Sequence, residues 1–364
     1  MLKYQIVGGL YRNIFKPLAF SRDAEGVHDR ITAIGEWLEN YQQLISWISY
    51  RSPKLKRKVL GIEFENPVGL AGGFDYDGHL AKVLKHVGFG FNTVGTITAK
   101  PYEGNPKPRL LRLPKSQALL VNKGFKSEGA VVVAGRLDNK NLTEHTMGIS
   151  VGSSNLPQVN TTSKAVDDYL FTFDIFKHKK YVKYFELNIS CPNTAMTESF
   201  TTPANLKVLV TAVNKLDLKQ PVFVKMPNEI EFRTAADLVR ICMDKGIRGF
   251  IFSNLVKHWD NPGLHVEEVE KIKSFRGNFS GKPTFENSNN LVAFARKKFG
   301  TNIAIIGCGG IFGPEDALFK LQSGADLVQL ITGMIYQGPQ LVGQINEYLD
   351  NKGNHDKIIT YAKN

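Results

Sequence analysis

The chain has 364 residues, 42% of them hydrophobic and 22% charged, a globular composition with room for one large domain and an appendage. Lysine and arginine (46) outnumber aspartate and glutamate (34), and the formal charge of +12 favours an anionic partner: nucleic acid, anionic lipid or an acidic small molecule. No apolar run reaches about 18 residues, so no spanning helix is expected, and Cys191, Cys242 and Cys308 are too dispersed for a disulfide framework or zinc cluster, as in a reducing compartment.

The opening residues, MLKYQIVGGLYRNIFKPLAF, are interrupted by Lys3, Arg12 and Lys16 and lack a small-residue cleavage site, which argues against a secretion signal. Ile31, Ile34, Leu38, Tyr41, Ile45 and Ile48 then step by threes and fours. The spacing predicts one helix with an apolar stripe, widened by Trp37, Leu44 and Trp47. RSPKLKRK (51–58) follows, with five positive charges and no negative one. Two readings fit this segment equally: a helical hairpin packed on its own domain, or a helix lying on anionic lipid. Residues 1–58 are the N-terminal segment in this reading, and 59–364 the barrel domain.

From about residue 61 short apolar runs recur, each ending in small or polar residues: NPVGLAGG (66–73), FNTVGTIT (91–98), MGISVGSS (147–154), YFELNISC (184–191), PVFVKM (221–226), GFIFSN (249–254), NIAIIGCGG (302–310) and LVQLITG (327–333). Helical patterns lie between most of them, for example SKAVDDYLFTFDIFKH, TAADLVRICMDKG and PEDALFKLQSG. Buried strands alternating with helices imply a parallel sheet, and eight of them close a (β/α)8 TIM barrel. An open doubly wound sheet is the alternative. The longer intervals, 99–146 and 255–301, are expected to form loops over one end of the barrel.

In such a barrel the chemistry sits at the C-terminal strand ends. These carry Gly72-Gly73, Thr96, Ser150, Asn188 with Cys191, Lys225, Ser253-Asn254, Gly309-Gly310 and Thr332. The ring is polar, mostly uncharged and rich in amides and hydroxyls, which suits a planar, heteroatom-rich ligand and makes a poor metal site. Glycines after the seventh and eighth strands let backbone N–H groups approach a phosphate, although two tight turns would also explain them. Flavin mononucleotide (FMN) fits better than a dinucleotide, because no G-x-G-x-x-G opens a βαβ unit. Lys225, flanked by VFV and MP, would place a cation beside the flavin ring and favour its anionic reduced form.

Within FELNISCPNT (185–194), Cys191 precedes a proline and lies between two asparagines, an unnatural place for a mere packing thiol. An ordinary thiol pKa of roughly 8.5 makes it a candidate proton acceptor, with Asn188, Asn193 and Asn254 placed to hold carbonyls and ring nitrogens of a substrate. A cysteine nucleophile is the competing reading, without a histidine motif to support it. A nucleic-acid binder is disfavoured because no aromatic–basic strand motif or recognition helix is evident.

NPVGLAGGFDYDG, GFGFNTVGTITAKPYEGNPKPRLLRL, NISCPNTA, VKMP, SGKP, IIGCGGI and LVQLITGMIYQGP together resemble the dihydroorotate dehydrogenase family, strand by strand and in order. The N-terminal region and FSRDAEGVHDRI resemble its membrane-associated, quinone-using class 2. The resemblance implies FMN, oxidation of dihydroorotate to orotate in pyrimidine biosynthesis, electrons passed to a quinone, and a peripheral place on the cytoplasmic side of a membrane. It also implies that Gly281 of SGKP contacts the cofactor, that Asn122 contacts the substrate, and that His28 and Arg112 line a quinone tunnel. Several positions depart from class 2. Cys191 stands where serine is usual, as in the soluble class 1 enzymes, and Tyr76 replaces a lysine. Ser150 replaces an asparagine and Leu255 a threonine; Asn122 fits only with a one-residue shift, and Thr197 and Glu198 stand near a missing arginine. The alternatives they suggest are a flavoprotein acting on another cyclic amide or enone, or a class 1-like soluble enzyme.

Overall fold

The eight apolar runs each form a strand: Val68–Leu70 (β1), Phe91–Ile97 (β2), Met147–Val151 (β3), Val182–Asn188 (β4), Val222–Met226 (β5), Gly249–Phe252 (β6), Ala304–Cys308 (β7) and Leu327–Leu330 (β8). The computed structural model describes residues 2–189 and 200–353. All neighbours are parallel; β6 pairs with both β5 and β7, and β8 pairs with β1, so the sheet closes and the open alternative is excluded. Every residue of β1, β2, β3, β5, β6, β7 and β8 is buried, the burial on both faces that a helix-wrapped parallel sheet imposes. Helices such as Thr162–Phe176, Pro203–Asn214 and Phe232–Met243 cover its outside.

Inside the barrel, Phe91, Tyr184 and Phe223, with Phe64 from below, plug the N-terminal end through edge-on ring contacts. Gly148 makes room for this plug, since a Cβ there would run into the Tyr184 ring. Above the plug lies a polar layer: Glu186 Oε1 accepts from Thr93 Oγ1 (2.5 Å) and Gln329 Nε2 (2.6 Å). The strand ends begin directly above that layer.

The long intervals are not simple loops. Leu110–Leu113, Ala118–Val121 and Asn278–Gly281 pair into a three-stranded antiparallel sheet over the C-terminal end of the barrel, with Val121 opposite both Leu110 and Asn278. Alternating apolar residues in both intervals (Leu111, Leu113, Leu120, Phe279) build a satellite core under that sheet, which loops without partners would leave exposed.

The N-terminal segment folds as Leu2–Leu10 (α1), a π-helical stretch Tyr11–Phe15, Lys16–Phe20 (α2), Ala24–Leu38 (α3) and Gln42–Ser46 (α4). The single helix expected over 31–48 is therefore two, interrupted at 39–41, where Tyr41 leaves helical geometry. The turn lets Leu38 and Ile45 pack on the barrel's outer core and buries Ile48, while Ile34, Trp37, Tyr41, Leu44 and Trp47 stay exposed. No described helix is long and apolar enough to cross a membrane. A boundary after residue 58 cuts through the hairpin Arg57–Val59/Ile62–Phe64, whose Phe64 belongs to the barrel plug.

Candidate active site

A cavity of about 230 Å³ opens above the strand ends. Gly72 and Gly73, Thr96, Asn188, Lys225, Ser253 and Asn254, Gly281, Gly309 and Gly310, and Thr332 all line it, so residues scattered over 260 positions of sequence meet at one place. Asn188 Nδ2 donates to Thr96 Oγ1 (3.0 Å), and Thr96 in turn shares a hydrogen bond with Ser150 Oγ (2.9 Å). Ser150 is thus one layer behind the wall and not part of it. Asn254 Nδ2 donates to Asn188 Oδ1 (3.4 Å), which fixes which face each amide offers to the cavity. Lys225, level with Asn188 across β4 and β5, is buried at 6% exposure.

The β7 end is shaped by Gly309 (φ +109°) and Gly310 (φ +74°), both in the left-handed region. A Cβ on Gly309 would strike the Thr284 hydroxyl, and one on Gly310 would strike Phe285. Across the same cradle Ser280 Oγ and Thr332 Oγ1 are 2.9 Å apart. Bare backbone and two hydroxyls facing a cavity make a site where an anionic oxygen can approach main-chain N–H groups closely.

Two further residues line the cavity: Cys308, assigned no role from the sequence, and Tyr76, marked there as standing where class 2 has a lysine. Cys308 ends β7 and borders the cavity, with its side chain in the barrel core and its thiol pushed up in pKa by burial. Tyr76 lines the cavity beside Lys123, whose Nζ lies 4.3 Å from the ring centroid. Asn122 does not line the cavity; its Oδ1 accepts from Asn105 Nδ2 (3.0 Å), while its neighbours Lys123, Gly124 and Phe125 form the wall. Cys191 and Asn193 lie outside the described residues.

The mouth is built by α3 and the antiparallel sheet. Asp23 caps α3 by accepting from Gly26 N (2.7 Å), and Ala24, Val27, His28 and Ile31 then fall on the face towards the cavity. Leu110, Arg112, Leu119 and Val121 form the opposite wall. Arg112 stacks over Phe20 (4.7 Å) and donates to the carbonyl of Arg22 (2.8 Å). The His28 ring packs edge-on against Phe74 (5.0 Å) and Tyr76 (5.3 Å); burial, then the charge of Lys123, lowers its pKa to about 4, so it is neutral near pH 7.

α3 is tied down by Glu25, which is 3% exposed. Its carboxylate accepts from Arg109 Nε (3.1 and 3.0 Å) and Nη2 (2.7 Å), with Lys123 Nζ 3.3 Å away. Burial pushes this carboxyl up, but the Arg109 hydrogen bonds and the Lys123 charge outweigh it and hold the pKa down to about 2. The sequence offered only a weak signal for this cluster, since an acid one turn into a capped helix is ordinary.

The closed parallel barrel and the cavity at its C-terminal strand ends are those of a (β/α)8 barrel enzyme. The family model described as dihydroorotate dehydrogenase matches residues 54–352, and the chain belongs to that family. It is 35% identical to the dihydroorotate dehydrogenase (quinone) of Trichormus variabilis, over 92% of this chain and 93% of that one. It is 34% identical to that of Christiangramia forsetii, over 94% of this chain and the whole of the other. Among solved structures, the Eimeria tenella enzyme in complex with ferulenol superposes with a TM-score of 0.79 at 28% identity, covering 92% of each chain.

Proposed function

We propose that this chain oxidises (S)-dihydroorotate to orotate in pyrimidine biosynthesis, with FMN as resident cofactor and a membrane quinone as electron acceptor. The observation that carries the reading is one continuous cavity. It runs from glycine-rich strand ends and an amide ring to a largely apolar mouth under α3, room for a polar ligand at one end and an apolar one at the other. The similarity to curated quinone-dependent relatives supports the same assignment.

The residues present fit the cofactor. Gly309, Gly310, Gly281 and Thr332 would hold its phosphate, where a Cβ on Gly309 or Gly310 would collide with Thr284 or Phe285 and force the backbone out of its cradle shape. Thr96, Asn188 and Lys225 would meet its ring. When bound, the cofactor would supply the capacity to accept hydride from the substrate and to be reoxidised by the acceptor. Lys225, buried and level with Asn188, would hold its positive charge beside the ring of that cofactor and favour the reduced, anionic form. Cys191 takes the C5 proton, and Asn188, Asn193 and Asn254 hold the ring of the substrate. His28 and Arg112 border the route of the quinone. The N-terminal helices rest on an anionic membrane surface through Leu10, Ile14, Leu18, Trp37, Leu44 and Trp47, all exposed, with Lys and Arg side chains interspersed.

Anaerobic addition of L-dihydroorotate to the purified holoprotein tests this reading. Rapid bleaching of the visible flavin band, reversed by a soluble quinone, is the expected result. A band that stays unchanged would refute the substrate assignment.

A further inference from the structure

Among the described residues, the cavity is lined by Arg112, Lys123, Lys126 and Lys225 and by no aspartate or glutamate. The four cations differ in how they are satisfied. Arg112 donates to a backbone carbonyl and stacks on Phe20, and Lys126 is partly exposed to water. Lys225 belongs to the cofactor site described above. Lys123 stands apart: it is 4% exposed, it lines the cavity, and its Nζ makes no well-directed hydrogen bond within the described protein.

The nearest acid satisfies it only in part. Glu25 Oε1 lies 3.3 Å from Lys123 Nζ, but both oxygens of that carboxylate already accept from Arg109, and Lys126 and Lys107 approach the same group at 3.8 and 4.0 Å. One buried carboxylate thus faces four cations, with the exposed Asp29 acting only from further away. The face of Tyr76, 4.3 Å from Nζ, adds a weak attraction and supplies no acceptor lone pair. Burying an ammonium whose one acidic partner is shared with other cations is costly, and burial here drives the Lys123 pKa down although Glu25 opposes it. A cation held at that cost in a cavity wall is well suited to an anionic ligand that completes its coordination.

The geometry points to Lys123 as the residue that binds the carboxylate of the acid substrate, setting the preference of this site for a ring acid over its neutral analogue. This inference rests on the dihydroorotate reading. Gly124 and Phe125, next in the chain, line the same wall, and Phe125 sits at φ +62°, so the backbone turns sharply beside the ammonium. The carboxylate would then lie against a Lys123–Tyr76 pair, with Asn188 and Asn254 left for the ring amides.

The test is binding, measured by calorimetry on the flavin-loaded protein, of orotate, of its 6-carboxamide and of uracil. Wild type is expected to prefer orotate over the carboxamide by about 10- to 150-fold, the range of one charge-assisted hydrogen bond. Lys123→Met should erase that preference while leaving uracil binding and flavin content unchanged, and Lys123→Arg should restore most of it. Glu25 keeps its two-pronged contact with Arg109 in both variants, so α3 stays docked. Equal binding of orotate and carboxamide by wild type overturns the proposal without any variant, and so does a Lys123→Met protein that binds orotate as wild type does. Wild type that binds neither orotate nor uracil refutes instead the substrate reading on which the proposal stands.

Discussion

Glu25→Gln isolates the attachment of α3 to the barrel. The substitution keeps shape and volume but removes the one buried negative charge that, among the described residues, faces Arg109 and Lys123, both nearly sealed from solvent. The carboxyl pKa falls from 4.5 to about 2 in the folded protein, which corresponds to about 3 kcal/mol of favourable interaction in the ionised state. Breaking one side of a buried ion pair typically costs about 3–5 kcal/mol, so the two arguments agree in size. Because the folded pKa lies below the unfolded one, this stabilisation is fully present above about pH 4.5 and is lost as the pH falls towards 2. Hydrogen exchange of the amides of Val27–Ile31 reads the opening of α3 directly. At pH 7 the variant should exchange about 100-fold faster there, with strand amides of the barrel unaffected. In wild type the protection of α3, referred to the barrel, should fall between pH 4.5 and 2, and in Glu25→Gln it should be flat. A variant with wild-type protection at pH 7, or one that keeps the pH slope, would refute the reasoning.

Two further substitutions test the cradle and the base. Gly309→Ala places a methyl group against the Thr284 hydroxyl in a left-handed backbone position, and the purified protein should lose most of its flavin, read as visible absorbance per chain. Cys191→Ala should keep the flavin and bind orotate, while its rate of flavin reduction by dihydroorotate falls about 100-fold or more, the usual yield of a positioned base.

The barrel was legible because its strands are buried on both faces, so continuous apolar runs and their small polar ends mark each one. The ring of strand-end residues was legible for the same reason: topology alone carries Gly72, Thr96, Lys225 and Gly309 to one mouth. Side-chain direction was not. Nothing in VNKGF says that Asn122 turns to Asn105 while Lys123 enters the cavity; that follows from the pairing of Ala118–Val121 between two neighbours. The break at 39–41 leaves no mark in the spacing, because an apolar stripe with 3.6-residue period is the same in one helix as in two that share a surface. Glu25 was unreadable because its partners, Arg109 and Lys123, are 84 and 98 positions away, and a buried ion pair leaves no periodic trace.

The same cluster decides how membrane contact should be tested. α3 carries two unrelated duties along one helix: Ala24, Val27, His28 and Ile31 wall the cavity, while Ile34 and Trp37 are exposed, with Tyr41 and Leu44 continuing the apolar surface into α4. Deleting residues 1–47 would therefore strip the mouth and leave Arg109 and Lys123 buried without Glu25, so a failure of that protein would say nothing about lipid. Charging the outer face alone, with Trp37→Glu, Leu44→Glu and Trp47→Glu, leaves every cavity contact in place. That variant is expected to fold, to hold flavin and to be bleached by dihydroorotate at the wild-type rate, because those three side chains are more than half exposed and make no cavity contact. It should no longer float with vesicles containing anionic lipid. It should also lose turnover with a long-tailed quinone dissolved in those vesicles, while turnover with a short-chain soluble quinone persists. Retained flotation would place the lipid contact elsewhere, and equal loss with both quinones would mean that the outer face shapes the cavity after all.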